Sequence, residues 1–361
     1  MNHFNQKLRR LFLVSGILVS GLLGGALTGT AQTAAFTDQG RLTDGGAPDT
    51  PSAGCPTAKR PLDYDGDGKT DATIVRNTGG GASGAMTWYT RNSATGNVTG
   101  TPFGIASDSF LSGDFDGDGK ADIAVWRSGA QGYFYILQSG TNTFRFDAFG
   151  QTGDDPRMVG DYDGDGKTDP AIYRGGANAG SPSLWAYRAS GGSNAGQIVV
   201  VQWGQNGDFP VPGDYDGDGR NDFVVQRNGG GGRAIFYLQQ TTAGFAGISF
   251  GTPTDVIVPG YYDNDCKTDI AVVRASGGVI NWYIRNSTNG ALQAYQFGAS
   301  ATDYPTQGDY DGDGAIDVSV WRPSATAGAT SFFWRRSMDG ALGFQQWGQN
   351  GDYPVANFNT H

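Results

Sequence analysis

Beyond residue 31 the chain alternates short apolar stretches with turns rich in Gly, Asp and Asn. Val, Ile, Tyr, Phe and Trp dominate those stretches, as in "DIAVWR" (122–127), "YFYIL" (133–137) and "NWYIR" (281–285), a composition that predicts strands. The N-terminus follows a different pattern. Lys7, Arg9 and Arg10 precede an apolar run from Leu11 to Leu27, and Gly29-Thr30-Ala31 offers small residues for cleavage. Residues 1–31 therefore read as a secretory signal peptide rather than a spanning helix, since no stop-transfer charges follow. Arg9-Arg10-Leu11-Phe12-Leu13 resembles a twin-arginine export signal without its usual flanking Ser and Lys. The mature protein is expected to be secreted or otherwise extracytoplasmic, with no membrane span after cleavage. Residues 32–56 read as a flexible polar linker.

The turns carry a repeated phrase. "DYDGDGKTD" (63–71) recurs as "DFDGDGKAD" (114–122), "DYDGDGKTD" (161–169), "DYDGDGRND" (214–222), "YYDNDCKTD" (261–269) and "DYDGDGAID" (309–317). A period near fifty residues signals a propeller or solenoid. Thirteen residues after each phrase begins stands an arginine: Arg76, Arg127, Arg174, Arg227, Arg274 and Arg322. An aromatic strand follows, at Trp88, Phe134, Trp185, Phe236, Trp282 and Trp334, and each unit closes on Phe-Gly or Trp-Gly. An aspartate stands six residues before each later phrase, at Asp108, Asp155, Asp208, Asp255 and Asp303.

Each unit supplies about four short strands, the content of one propeller blade. The fold class expected is all-β: a six-bladed β-propeller of four-stranded blades over residues 57–358, with a calcium loop in each blade. The tail "WGQNGDYPVANF" (347–358) repeats the lead-in "WGQNGDFPVPGD" (203–214), yet no phrase follows it, while the first phrase has no lead-in. The tail is expected to dock beside the first blade and close the ring.

Repeated D-x-D-G-D-G-x-x-D with "FG" and strands such as "DIAVWR" resembles the FG-GAP/VCBS-repeat family. Integrin α-subunit propellers and some fungal and bacterial lectins carry similar repeats. The resemblance spans about 56–358 and speaks to fold more than to ligand.

Calcium prefers six to eight oxygens, and alternating aspartates on a glycine-rich turn can supply them. In the first phrase Asp63, Asp65, Asp67 and Asp71 offer carboxylates at positions 1, 3, 5 and 9, and Lys69 offers its carbonyl at position 7. The later phrases offer Asp114, Asp116, Asp118, Lys120 and Asp122; Asp161, Asp163, Asp165, Lys167 and Asp169; Asp214, Asp216, Asp218, Arg220 and Asp222; and Asp309, Asp311, Asp313, Ala315 and Asp317. The fifth phrase is degenerate: Tyr261 replaces the first aspartate, leaving Asp263, Asp265, Lys267 and Asp269. Five well-formed Ca²⁺ sites and a weaker sixth are expected. The resemblance implies the same ligands, in the loop between a blade's two inner strands. An EF-hand is excluded by the absence of flanking helices and of a bidentate Glu at position 12; transition metals would want His or Cys.

Composition agrees. All 35 acidic residues are aspartate, and this lack of glutamate, beside 60 glycines, argues against helices. The formal net charge is −10, which excludes nucleic acid as a natural partner. The chain's two histidines, His3 and His361, lie at its ends, which excludes His-based triads and metal sites. Asp147, Asp154 and Asp339 remain as acids outside the repeat, so a polysaccharide-active enzyme is a weaker alternative. The function expected is a non-enzymatic binding module for an extracellular glycan, lectin-like, or for a protein ligand, as in adhesion. The repeated arginines are expected to pair with blade aspartates. The two cysteines, Cys55 and Cys266, admit either a bridge that ties the linker to blade five or two free thiols.

Overall fold

The computed structural model describes residues 62–263, 265–356 and 358. The signal peptide at 1–31, the linker at 32–56 and Cys55 lie outside the described residues.

Six antiparallel sheets follow one another along the chain. Blade two is the plainest. Ser109–Gly113, Asp122–Arg127, Tyr133–Leu137 and Phe144–Ala148 pair in sequence order, from a buried inner strand to an outer strand that is alternately exposed. Blades four, five and six repeat that order, with inner strands Phe209–Pro210, Val256–Ile257 and Tyr304–Pro305. A proline fits the inner strands of blades four and six, each of which has a ladder neighbour on one side only.

Blade one borrows its inner strand from the other end of the chain. Tyr353–Pro354 pairs with Ala72–Asn77, placing Tyr353 opposite Val75 and Pro354 opposite Ile74. The tail closes the ring as its repeated lead-in predicts.

Blade three departs from the rule. Ala171–Arg174, Pro182–Arg188 and Ile198–Gln205 form its sheet, and the inner segment is reduced to one bridge, Asp155 to Tyr173. Its lead-in, Asp154 to Asp161, is one residue longer than Asp208 to Asp214. The extra residue falls after Pro156 and breaks the pairing.

The blades are held together by one residue per third strand. Trp88, Phe134, Trp185, Phe236, Trp282 and Phe332 are fully buried at equivalent positions between sheets. Alternation produces this: in Tyr133–Leu137 only Phe134 and Ile136 are buried. Each such aromatic contributes roughly 2–3 kcal/mol through burial alone. Where it is tryptophan, Trp88 and Trp282 donate to the carbonyls of Phe103 and Phe297 at 3.2 and 2.9 Å, whereas the buried indole N–H of Trp185 has no hydrogen-bond partner among the described residues. In blades one and five this is a role for the recurring Phe-Gly: its carbonyl accepts the buried indole. Blade six puts Phe332 at that position, two residues before the Trp334 suggested by the sequence.

Candidate metal centres and inter-blade grooves

Each phrase forms the loop between a blade's inner and second strands. In the first, the Asp63 carboxylate accepts the N–H groups of Gly66 and Gly68 at 2.7 and 2.8 Å. Asp67 accepts from the N–H of Lys69, and Asp71 from that of Tyr64. Gly66 and Gly68 stand at φ 81 and 88, a region costly for other residues, and so let the backbone curl around the acids. Cys266 holds φ 69 at the position of the second glycine in blade five.

Carboxylates converge in each loop. Oxygens of Asp63, Asp65 and Asp71 lie within 4.8 Å of one another, as do those of Asp114, Asp116 and Asp122, and of Asp161, Asp163 and Asp169. In blade four the converging set is Asp214, Asp216 and Asp218, and in the degenerate blade five it is Asp263, Asp265 and Asp269. The position-5 acids Asp67, Asp118 and Asp165 are outside the three-oxygen sets of blades one to three, and each accepts the N–H of its position-7 residue: Lys69, Lys120 and Lys167. Arg220, Lys267 and Ala315 make the same bond to Asp218, Asp265 and Asp313. In blade six Arg336 approaches Asp311 at 3.3 Å.

The convergence has an electrostatic cost. Burial, reinforced by neighbouring aspartates, pushes the position-9 acids Asp71, Asp122 and Asp169 up to about 6 and Asp222 up to about 7. Asp269 and Asp317 rise to about 8 for the same reasons. A hard divalent cation would offset the repulsion among these buried carboxylates, and an all-oxygen donor set suits calcium. The residues present therefore fit the ion.

The structure adds two parts that the phrase alone does not reveal. The first is a ring of hydroxyls from the turn after each third strand. Ser93 Oγ donates to Asp67, Ser139 to Asp118 and Asp122, Ser190 to Asp165 and Asp169, Thr241 to Asp218, Ser287 to Asp269 and Ser337 to Asp313. A signal existed: each hydroxyl stands five residues after the buried aromatic of its blade.

The second is a closed ring of backbone hydrogen bonds between loops. The position-8 N–H of each phrase donates to the position-1 carbonyl of the preceding blade: Ala121 to Asp63, Thr168 to Asp114, Asn221 to Asp161, Thr268 to Asp214, Ile316 to Tyr261 and Thr70 to Asp309, all at 2.5–2.7 Å. Tyr261 can replace aspartate here because the carbonyl is what the neighbour uses. The approach is close. A Cβ on Gly113 would stand 2.6 Å from Thr168 Oγ1.

At the far end of each second strand the repeated arginine meets an aspartate. Arg127 and Arg227 grip Asp108 and Asp208 with two bonds each, at 2.7–2.9 Å. Arg274 and Arg322 hold Asp255 and Asp303 in the same way, and Arg76 holds Asp352 of the tail. The pairing expected from sequence is present, with one correction. Arg174 takes Asp154, at 2.6 and 2.8 Å, because the longer lead-in of blade three shifts the count; Asp155 pairs with Arg157 instead. The other acids outside the repeat are also engaged, Asp147 with Arg145 and Asp339 with Arg336.

Five of these guanidinium groups also lie over an aromatic ring of the third strand. Arg227 sits 4.7 Å from the Tyr237 ring and Arg76 4.8 Å from that of Tyr89. Two grooves gain an indole from the preceding blade: Trp203 donates to the carbonyl of Tyr237 and Trp347 to that of Tyr89, both at 3.3 Å. Opposite the two tyrosines on the outer strands stand Gly247 and Gly100, while Phe245 of the outer strand stacks on the Tyr237 ring and meets Trp203 edge-on.

Residues 63–125 match the FG-GAP-like repeat family. Together with the six blades, that match decides the class. The chain is an FG-GAP-type propeller. No curated protein matches the sequence. Among solved structures, TolB from Acinetobacter baumannii is similar at 17% identity and a TM-score of 0.50, over 79% of this chain and 63% of TolB. This propeller thus spans less than two thirds of TolB's length. AofleA from Arthrobotrys oligospora is similar at 11% identity, with a TM-score of 0.46 over 82% of this chain and 90% of its own. The Aleuria aurantia lectin, solved in complex with α-methyl-L-fucoside, is similar at 10% identity, with a TM-score of 0.40 over 80% of this chain and 96% of its own. At these identities the likeness is one of fold. Among the described residues no helix is long and apolar enough to cross a membrane.

Proposed function

We propose that this FG-GAP-type propeller is an extracytoplasmic, calcium-stabilised module that binds carbohydrate in its inter-blade grooves, without catalysis. The observation that carries the reading is the pair of grooves built by Trp203 with Tyr237 and by Trp347 with Tyr89. Each combines a partly exposed indole with a tyrosine ring that lies under an arginine already fixed by aspartate, and in the first Phe245 extends the aromatic surface by stacking on Tyr237. Aromatic faces suit the C–H faces of pyranoses, and fixed polar groups at the groove edge suit their hydroxyls.

The two grooves lie between blades three and four and between blades six and one, half a turn apart in a six-membered ring. Two weak sites on a rigid disc favour multivalent glycans by avidity. In this reading calcium, bound by the phrase aspartates, neutralises the converged carboxylates and pins the loops. The aspartates, hydroxyls and backbone ring set the blade positions that define the grooves.

Protein adhesion is the second reading, favoured by Phe144, Phe146 and Phe344, which stand 55, 62 and 70% exposed on outer strands. A glycan array with and without chelator separates the two. Array binding that competes with a free monosaccharide and falls in Trp203→Ala and Trp347→Ala supports the sugar reading. No array signal, with capture of a protein through the Phe-bearing rim, supports adhesion.

A further inference from the structure

The groove between blades two and three, on the face that carries the phrase loops, is unlike its counterparts. It is a cleft of about 300 Å³ whose lining includes Arg145 and Asp147 from the outer strand of blade two, and Lys167, Arg188 and Ser190 from blade three. The repeat supplies an internal comparison. By strand register, the positions equivalent to Arg145 hold Thr99, Val199, Ala246, Gln293 and Gly343 in the other blades. Those equivalent to Asp147 hold Thr101, Val201, Ile248, Tyr295 and Gln345. The blade scaffold therefore has no need of charge at either position, and blade two alone places a pair there.

The pair is shared across the interface. Arg145 lies 2.8 Å from Asp147 Oδ2, and Arg188 of the next blade approaches Asp147 Oδ1 at 4.0 Å. Arg188 is held in place by the carbonyls of Gly196 and Ala148, at 3.0 and 3.4 Å. Two guanidinium groups thus flank one carboxylate, and Lys167 adds a third positive charge to the lining. Asp116, the other acid at the cleft, belongs to the converging set of loop two. A local positive excess in a chain of net charge −10 goes against the grain of its composition. Oriented guanidinium forks are the side chains best matched to planar or tetrahedral oxyanions.

We propose that this cleft binds the acidic group of an anionic saccharide, a carboxylate or a sulfate. The class of ligand rests on the carbohydrate reading above, but the site is separate from the indole grooves and uses charge rather than aromatic faces. Arg145 and Arg188 share the anion, Lys167 contributes field, and Asp147 holds the two forks in position at the expense of some affinity.

The test is calorimetric titration of the calcium-loaded mature protein with tetragalacturonate, its fully methyl-esterified form and a sulfated galactotetraose. The expected result is binding of at least one acidic tetrasaccharide and roughly tenfold weaker binding of the neutral ester. Arg145→Ala and Arg188→Ala should each cost the acid roughly tenfold, Asp147→Asn should tighten it, and added salt should weaken it. Arg145→Gln, which keeps the side chain's bulk, covers any folding defect of the alanine variant. The sulfated and carboxylated arms identify which oxyanion is preferred. If Trp203→Ala/Trp347→Ala loses neutral glycans while the acid still binds through Arg145, the two sites are independent. If neutral glycans never bind but the acid does, the indole grooves alone are refuted. Equal affinity for acid and ester, indifference to the arginine substitutions, or binding of neither acid overturns the proposal.

Discussion

Arg76 and Asp352 stand 276 residues apart and are joined by two hydrogen bonds, at 2.6 and 2.8 Å. The pair is the blade-one copy of an ion pair that every other blade makes within its own unit. Its aspartate is almost fully buried, and its arginine side chain is 29% exposed. Removing Arg76 leaves a buried carboxylate without its partner. Since the arginine is partly solvated, the cost of Arg76→Ala should be about 2 kcal/mol, below the range for a fully buried pair. Denaturant unfolding checks this, and Arg227→Ala in blade four should give a similar loss. Deleting residues 347–361 removes the inner strand of blade one as well, and should yield an aggregating protein through its exposed strand edge. A truncated form that stays monomeric and equally stable contradicts the closure.

The hydroxyl ring predicts a graded effect of single substitutions. Ser139 Oγ donates to Asp122 at 2.7 Å and to Asp118 at 3.1 Å. Ser139→Ala should destabilise the protein by about 1–2 kcal/mol, because hydrogen bonds to charged acceptors are lost in a partly buried site. Ser→Ala at an exposed position just past a second strand, such as Ser128, is the control and should shift unfolding little.

The pH dependence follows from the raised position-9 acids. In calcium-free protein the folded state keeps protons on Asp71, Asp122 and Asp169 up to about 6 and on Asp269 and Asp317 up to about 8, where the unfolded chain has released them near 3.8. The folded state binds more protons across that window, so stability must fall as pH rises from about 4 to about 8. Calcium reverses the slope, because protons then compete with the ion. Denaturant unfolding at pH 5 and pH 8, each with chelator or with calcium, should show opposite trends; parallel trends contradict the account.

Much of this was legible in the sequence, because a propeller writes its core six times. Phrase, arginine, aromatic strand and Phe-Gly each recur at positions that the structure brings into equivalent contacts. The misreading of Asp155 for Asp154 came from counting back from the phrase, which fails when one residue is inserted after Pro156. The ring from Thr70 to Asp309 was not legible, since it uses main-chain groups and any residue with an N–H can stand at position 8. Asp147 was visible only as an acid outside the repeat, and Arg145 carried no signal of its own. Register was needed to place them on one face beside Arg188.

Cysteine chemistry gives a further check. Cys266 takes a left-handed φ of 69 where the other loops have glycine, a conformation that favours some local constraint on a residue with a Cβ. A Cys55–Cys266 bridge, one of the two states the sequence admits, would supply one, and on that reading peptide mapping of the non-reduced secreted protein recovers the linked pair. Two alkylatable thiols contradict it.

The central claim is that the converged aspartates are calcium sites that hold the blades together. Thermal unfolding of the mature protein, dialysed against EDTA and then titrated with calcium, tests it most directly. Metal binding to the folded state alone raises the midpoint, with extracellular-type affinities of roughly 10⁻⁴ to 10⁻³ M. The account predicts a midpoint lowered by roughly 10 °C or more in EDTA and restored by millimolar Ca²⁺. A melting curve that is the same with chelator and with calcium would contradict it.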